Sequence, residues 1–95
     1  KNFNKNNIIV AYEPIWSIGT GKIPTASELK KTIIHIKKVL KSIFKKNSPA
    51  VLYGGSVDGS NVEMFKEIGE IDGFLIGGAS KSSKKFIDII KNYYR

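Results

Sequence analysis

Apolar residues recur along this chain in two alternating rhythms. Ile8-Ile9-Val10-Ala11-Tyr12 is a short, partly β-branched run, the pattern of a strand buried on both faces. Glu13 and then Pro14 follow. A residue before proline is held out of the helical region, so the strand stays extended through Glu13. After a loop from Ser17 to Gly21, Thr25 and Glu28 have the spacing of a capping box and open a helix. Leu29, Ile33, Ile36, Leu40, Ile43 and Phe44 share one face of it, most of the lysines lie elsewhere, and Asn47-Ser48-Pro49 stops it. Ala50-Val51-Leu52-Tyr53 is a second buried strand, ending in Gly54-Gly55-Ser56. Ser60 and Glu63 predict another capping box, for a short helix through Met64, Phe65 and Ile68 that Gly69 terminates. Phe74-Leu75-Ile76 is a third strand and runs into Gly77-Gly78. A last helix from about Ser83 puts Phe86, Ile89, Ile90 and Tyr93 on one face.

Strand and helix alternating in this way predict an α/β unit of parallel strands joined by helical crossovers. Helices on one side of the sheet make a barrel sector; helices on both sides make a doubly wound sheet. The pattern alone does not choose. No linker or low-complexity segment interrupts residues 1–95, so they read as one structural unit. Three short strands leave two unpaired edges, and the unit reads as incomplete.

Composition narrows the function classes. There is no cysteine, which excludes a disulfide framework and a thiolate metal site, and the single histidine, His35, argues against a histidine metal site. No apolar run approaches the roughly 20 residues needed to cross a bilayer, and the polar start, Lys1 to Asn7, has no secretory apolar stretch. A cytoplasmic protein without a membrane partner is expected. The net charge of +8 raises nucleic acid as a partner. Yet Arg95 is the only arginine, and arginine is the residue suited to bidentate recognition of bases and phosphates. The lysines read instead as a solvated face, and no nucleic-acid role is expected.

In parallel α/β folds, ligands bind beyond the carboxyl ends of the strands. Here those ends read Glu13-Pro14, Gly54-Gly55-Ser56 and Gly77-Gly78. Glycines let backbone approach a ligand, and exposed amides near helix starts form an anion site without a basic side chain. Two glycine pairs at equivalent strand ends, with Gly19 and Gly21 in the third loop, point to phosphate. Nucleotide motifs fail. Gly19-Thr20-Gly21-Lys22 lacks the first glycine of a P-loop, where Trp16 stands, and its Ser/Thr, where Ile23 stands; Pro24 occupies the third glycine of a dinucleotide fingerprint. Glu13 is the one carboxylate at a strand mouth. Beside a loop able to close and exclude water it suits a general base, although a strand-end ion pair fits the spacing equally well.

Three segments carry a family resemblance. Ala11-Tyr12-Glu13-Pro14-Ile15-Trp16-Ser17-Ile18-Gly19-Thr20-Gly21-Lys22 closely resembles the sixth strand and lid of triosephosphate isomerases. Tyr53-Gly54-Gly55-Ser56-Val57 resembles the phosphate loop of the seventh strand, and Asp72-Gly73-Phe74-Leu75-Ile76-Gly77-Gly78-Ala79-Ser80 the eighth strand and its loop. The resemblance implies part of a TIM (β/α)8 barrel, three βα units of it. It also implies the interconversion of dihydroxyacetone phosphate and glyceraldehyde 3-phosphate, a step of glycolysis and gluconeogenesis, with no cofactor and no metal. Glu13 would be the catalytic base. The amides of Gly19, Ser56, Gly77 and Gly78 would hold the substrate phosphate. Pro14, Ile15 and Trp16 would form one hinge of the lid, Ser17, Ile18, Thr20 and Gly21 its body, and Lys22-Ile23-Pro24 the second hinge. Tyr53 and Ser56 would bond to the closed lid.

Departures from the family pattern are local. Ser17 stands where the lid commonly has alanine, Pro24 fixes a φ angle in the second hinge, Lys37 replaces an arginine that pairs with the aspartate matching Asp72, and Lys81 replaces a leucine. A whole barrel runs to about 250 residues, so the chain is expected to be a C-terminal piece. The family's catalytic lysine, its electrophilic histidine and most of its dimer interface come from earlier loops. The isolated chain is therefore expected to be almost inactive, and to act either with a complementing N-terminal segment or as a phosphate-binding remnant. Homodimerisation is expected of the full-length family.

Overall fold

The structure, a computed structural model, describes residues 5–17 and 19–95; Ile18 of the expected lid lies outside them. The elements are β1 (Ile9–Tyr12), α1 (Ala26–Phe44), β2 (Ala50–Tyr53), α2 (Val62–Lys66), β3 (Gly73–Phe74) and α3 (Ser83–Tyr93). All three strands are parallel, in the order β1-β2-β3. Consecutive order with right-handed crossovers sets both crossover helices on one face, the arrangement of a barrel sector and not of a doubly wound sheet.

The faces of the sheet agree. Tyr12 pairs with Tyr53, and Tyr53 with Phe74. This row belongs to the core, where Leu29, Ile33, Val51, Tyr53, Val62 and Phe65 are fully buried. Tyr53 and Phe65 stack with ring centroids 4.7 Å apart, and the contacts continue through Phe74 to Tyr93 on α3. The opposite row, Ala11, Leu52 and Gly73, meets no helix layer. The expectation that β1 is buried on both faces is therefore wrong. Ile9 is 64% exposed and only Val10 and Tyr12 touch the core, because β1 is an edge strand covered on one side.

Helix α1 begins as its sequence dictates. Thr25 Oγ1 accepts from Glu28 N at 3.2 Å and Glu28 Oε1 accepts from Thr25 N at 3.3 Å, a complete capping box. Leu29 and Ile33 are buried, but Ile43, at the far end of the same face, is exposed. The α-helix stops at Phe44, and a 3-10 turn (Lys45–Asn47) fills the interval to the predicted stop at Asn47. The second capping box does not form. Asp58 Oδ1 instead accepts from the amides of Ser60 (2.8 Å) and Asn61 (3.0 Å), while Glu63 faces Arg95. Helix α2 then starts at Val62 and ends at Lys66, and Gly69 has no left-handed φ, so it is not a C-cap. β3 begins at Gly73 and its pairing extends through Leu75 N, which donates to Tyr53 O, so the strand lies earlier than Phe74–Ile76. On α3 only Ile89 is buried; Phe86 and Ile90 remain exposed.

Asp72 ties these layers together. Its Oδ2 accepts from Val51 N at 2.8 Å and from Lys37 Nζ at 3.0 Å, and its own amide donates to Val51 O at 2.9 Å. The start of β3 is thereby pinned to the middle of β2 and to α1. Among the described residues no helix is long and apolar enough to cross a membrane.

Candidate active site

A parallel sheet delivers all its strand ends to one side, and here they surround one cleft of about 870 Å³, within the range of small-molecule sites. Its lining includes Glu13, Gly19, Ser56, Gly77 and Gly78. Glu13 leaves β1 with an exposed side chain and lies directly over Gly54. A Cβ placed on Gly54 would be 2.7 Å from Glu13 Cγ and 3.2 Å from its Oε2. Glycine at this position makes room for the carboxylate. At Gly77 and Gly78 the reverse holds: nothing lies within 4 Å of a Cβ built there, so the space beside these two residues is open. The chain then turns through a 3-10 segment (Gly78–Lys81) into α3, whose N-cap Ser82 accepts from Lys85 N at 3.3 Å.

The segment after Glu13 folds back over the loop that follows β2. Pro14 is buried and its carbonyl accepts from Ser17 N at 2.9 Å. Ile15 and Trp16 project outward, 87% and 51% exposed. Gly19 and Gly21 take φ of +68° and +78°, the left-handed region that glycine adopts without penalty. Thr20 Oγ1 donates to Trp16 O at 2.9 Å and accepts from Lys22 N at 3.0 Å, which keeps this turn tight. Ser17 is fully buried. Its Oγ sits 2.5 Å from Lys22 O, 3.1 Å from Tyr53 Oη and 3.2 Å from Ser56 N. Ser56 Oγ donates to Ser17 O at 2.5 Å and accepts from Gly21 N at 3.0 Å. Both Tyr53 and Ser56 thus bond to the segment over them, and the Ser56 amide is already engaged. Burial pushes the Tyr53 phenol above its ordinary pKa, with the Ser17 bond pulling weakly the other way.

Sequence reasoning missed a set of polar braces under this loop. Asn61 Oδ1 accepts from Asp58 N at 2.9 Å and its Nδ2 donates to Ser56 O at 2.8 Å. Asn92 on α3 donates to Gly59 O at 2.6 Å. The Ser60 hydroxyl bonded to Asp58 holds its carboxyl below the usual range, outweighing the opposite pull of burial; the amides of Ser60 and Asn61 add to the effect. The Asp58-Gly59 pair is a turn signal and marked where such braces would be. His35 lies exposed on α1, outside the cleft lining. Among the described residues no group of three or more His, Cys, Asp or Glu side chains is placed to share a metal ion.

Known proteins share this arrangement. A family model described as triosephosphate isomerase matches residues 1–93. Curated relatives named triosephosphate isomerase include those of Chlamydia abortus, 41% identical over 92 residues, and Dehalococcoides mccartyi, 45% identical over 91; each alignment covers more than nine-tenths of this chain. The protein of that name from Candida albicans is 47% identical over 90 residues. This chain spans 36% of the length of each of these relatives. The crystal structure of triosephosphate isomerase from Bartonella henselae superposes with a TM-score of 0.85 at 31% identity, covering 99% of this chain and 37% of that one. The parallel sheet is accordingly a sector of a TIM barrel, and the chain belongs to the triosephosphate isomerase family.

Proposed function

We propose that this chain is the base- and phosphate-bearing part of a cytoplasmic, homodimeric triosephosphate isomerase that interconverts dihydroxyacetone phosphate and glyceraldehyde 3-phosphate. One observation supports the reading above the rest: the strand-end carboxylate of Glu13 lines the same cleft as the Gly19, Ser56, Gly77 and Gly78 backbone, whereas the other two carboxylates in that lining, Asp58 and Asp88, are bonded to Ser60 and Lys84. Glu13 takes a proton from the carbon beside the substrate carbonyl, and the electron pair left behind forms a carbon–carbon double bond while the carbonyl π pair moves onto its oxygen. The neighbouring hydroxyl gives up its proton to that oxygen, and the same carboxyl returns the first proton to the former carbonyl carbon as the second oxygen forms its double bond. Backbone amides hold the phosphate, and Lys85 adds a cation to the same cleft lining. The segment 14–24 excludes water, which protects the intermediate from side reactions.

The family's polarising histidine and its lysine come from earlier strands, so these 95 residues alone should show negligible turnover. The test is a coupled isomerase assay on the chain mixed with a separately produced segment covering the first five strands of a family member. Recovered turnover that Glu13→Gln lowers by about 10²–10⁴-fold, the usual worth of a general base, supports the reading. Recovered turnover indifferent to Glu13→Gln refutes it. A folded mixture that binds phosphate but stays inactive marks a remnant instead.

A further inference from the structure

Among the described residues Ser17 is the one buried residue of polar or charged type, and none of its surface is exposed. A hydroxyl has one proton to give and two sites that accept. Lys22 O, 2.5 Å away, can only accept, so it takes the Ser17 proton. Tyr53 Oη must then donate into Ser17 Oγ across their 3.1 Å contact. The Ser56 N–H, at 3.2 Å, fills the second accepting site. Every capacity of this hydroxyl is used, and its partners lie on both sides of the seam: Lys22 at the second hinge, Tyr53 on β2, Ser56 in the loop after it. A second observation comes from Gly55. A Cβ there would overlap the Tyr53 hydroxyl and lie 2.6 Å from Ser17 Oγ. The loop after β2 is thus shaped around this junction.

We infer that the Ser17 side chain is a positioning residue that fastens segment 14–24 to β2 and its loop without a ligand, by bonding to both Tyr53 Oη and the Ser56 amide. Alanine, which the family lid commonly has here, could make none of the three bonds. The inference deepens the proposed function, since it names what holds that lid, but its test needs no substrate.

Amide hydrogen exchange is measured by NMR on the full chain and on Ser17→Ala. The Thr20 and Gly21 amides are expected to exchange about tenfold faster or more in the variant, as befits loss of several hydrogen bonds by a locally opening unit. The amides of Leu29 and Ile33 in α1 are expected to keep their rates. Unchanged exchange at Thr20 and Gly21, or equal acceleration at all four positions, overturns the inference. Should Ser17→Ala lose its helical circular dichroism, Tyr53→Phe decides, because it keeps the core ring and removes one bond. Faster exchange at Gly21 in that variant supports the fastening, and an unchanged rate refutes it. Unchanged lid exchange would leave the isomerase reading standing, just as an inactive reconstituted mixture would leave the fastening standing.

Discussion

Replacing Asp72 by alanine, and separately Lys37 by methionine, takes apart the bond that anchors β3. Asp72 Oδ2 serves two donors, the amide of the fully buried Val51 at 2.8 Å and Lys37 Nζ at 3.0 Å. The ion pair is about one-third exposed on each side, 33% and 38%, so water screens it and its worth is about 0.5 kcal/mol. The bond from Val51 is different, because a buried N–H given to a charged acceptor is worth about 1.5–3 kcal/mol and has no water to turn to once the acceptor is gone. Lys37→Met should therefore cost about 0.5 kcal/mol and Asp72→Ala about 3 kcal/mol. Asp72→Asn, which keeps an oxygen for Val51 and gives up the charge, should fall between them. Urea unfolding followed by circular dichroism reads all three as shifts of midpoint at constant slope. Losses for Asp72→Ala and Lys37→Met that agree within about 0.5 kcal/mol would refute the reasoning, since the carboxylate would then matter only as half of an ion pair.

Two further outcomes follow from the carboxyl end of β2. In Gly54→Ala the new Cβ would stand 2.7 Å from Glu13 Cγ, against the 3.4 Å where ordinary contact begins, so the carboxylate must move about 0.7 Å; turnover of the reconstituted mixture should drop roughly tenfold to a hundredfold, and unchanged turnover would show that the carboxylate's placement is not critical. Burial raises the Tyr53 phenol above its ordinary value of 10.0, so the folded chain holds that proton more tightly than the unfolded one. Its contribution to stability is complete below pH 10 and is lost as pH climbs through the folded value. The full chain should lose stability above pH 10 more steeply than Tyr53→Phe, and parallel curves from alkaline denaturant titrations would contradict this.

What the sequence disclosed was whatever depends on near neighbours or on topology. Thr25 and Glu28 meet because three residues of helix bring them together, whatever the rest of the chain does. Ser60 and Glu63 have the same spacing and do not meet, because Asp58 reaches the Ser60 and Asn61 amides and Glu63 turns to Arg95. Arg95 lies 32 residues further on, and no window of local pattern contains it. The gathering of Glu13, Ser56 and Gly77 around one cleft was legible, since parallel strands put their carboxyl ends on one side. Exposure of β1 was not. An apolar run specifies a strand that can be covered, and only the neighbouring layers decide whether one face or both are covered.

The two glycine pairs show why composition at the strand ends pointed to the site without explaining it. In the sequence both read as backbone bared to an anion. At Gly77 and Gly78 nothing lies within 4 Å of a built Cβ. At Gly54 and Gly55 the space a side chain would take is filled, by Glu13 at one and by Tyr53 and Ser17 at the other. Glycine at 54 and 55 therefore makes room for Glu13 and for the Ser17–Tyr53 contact. An anion entering along β3 meets the open space beside Gly77 and Gly78, whereas gaining the Ser56 N–H requires it to displace the Ser17 hydroxyl from 3.2 Å. On the proposed function and the proposed fastening, phosphate and segment 14–24 would draw on the same Ser56 amide, and each would weaken the other.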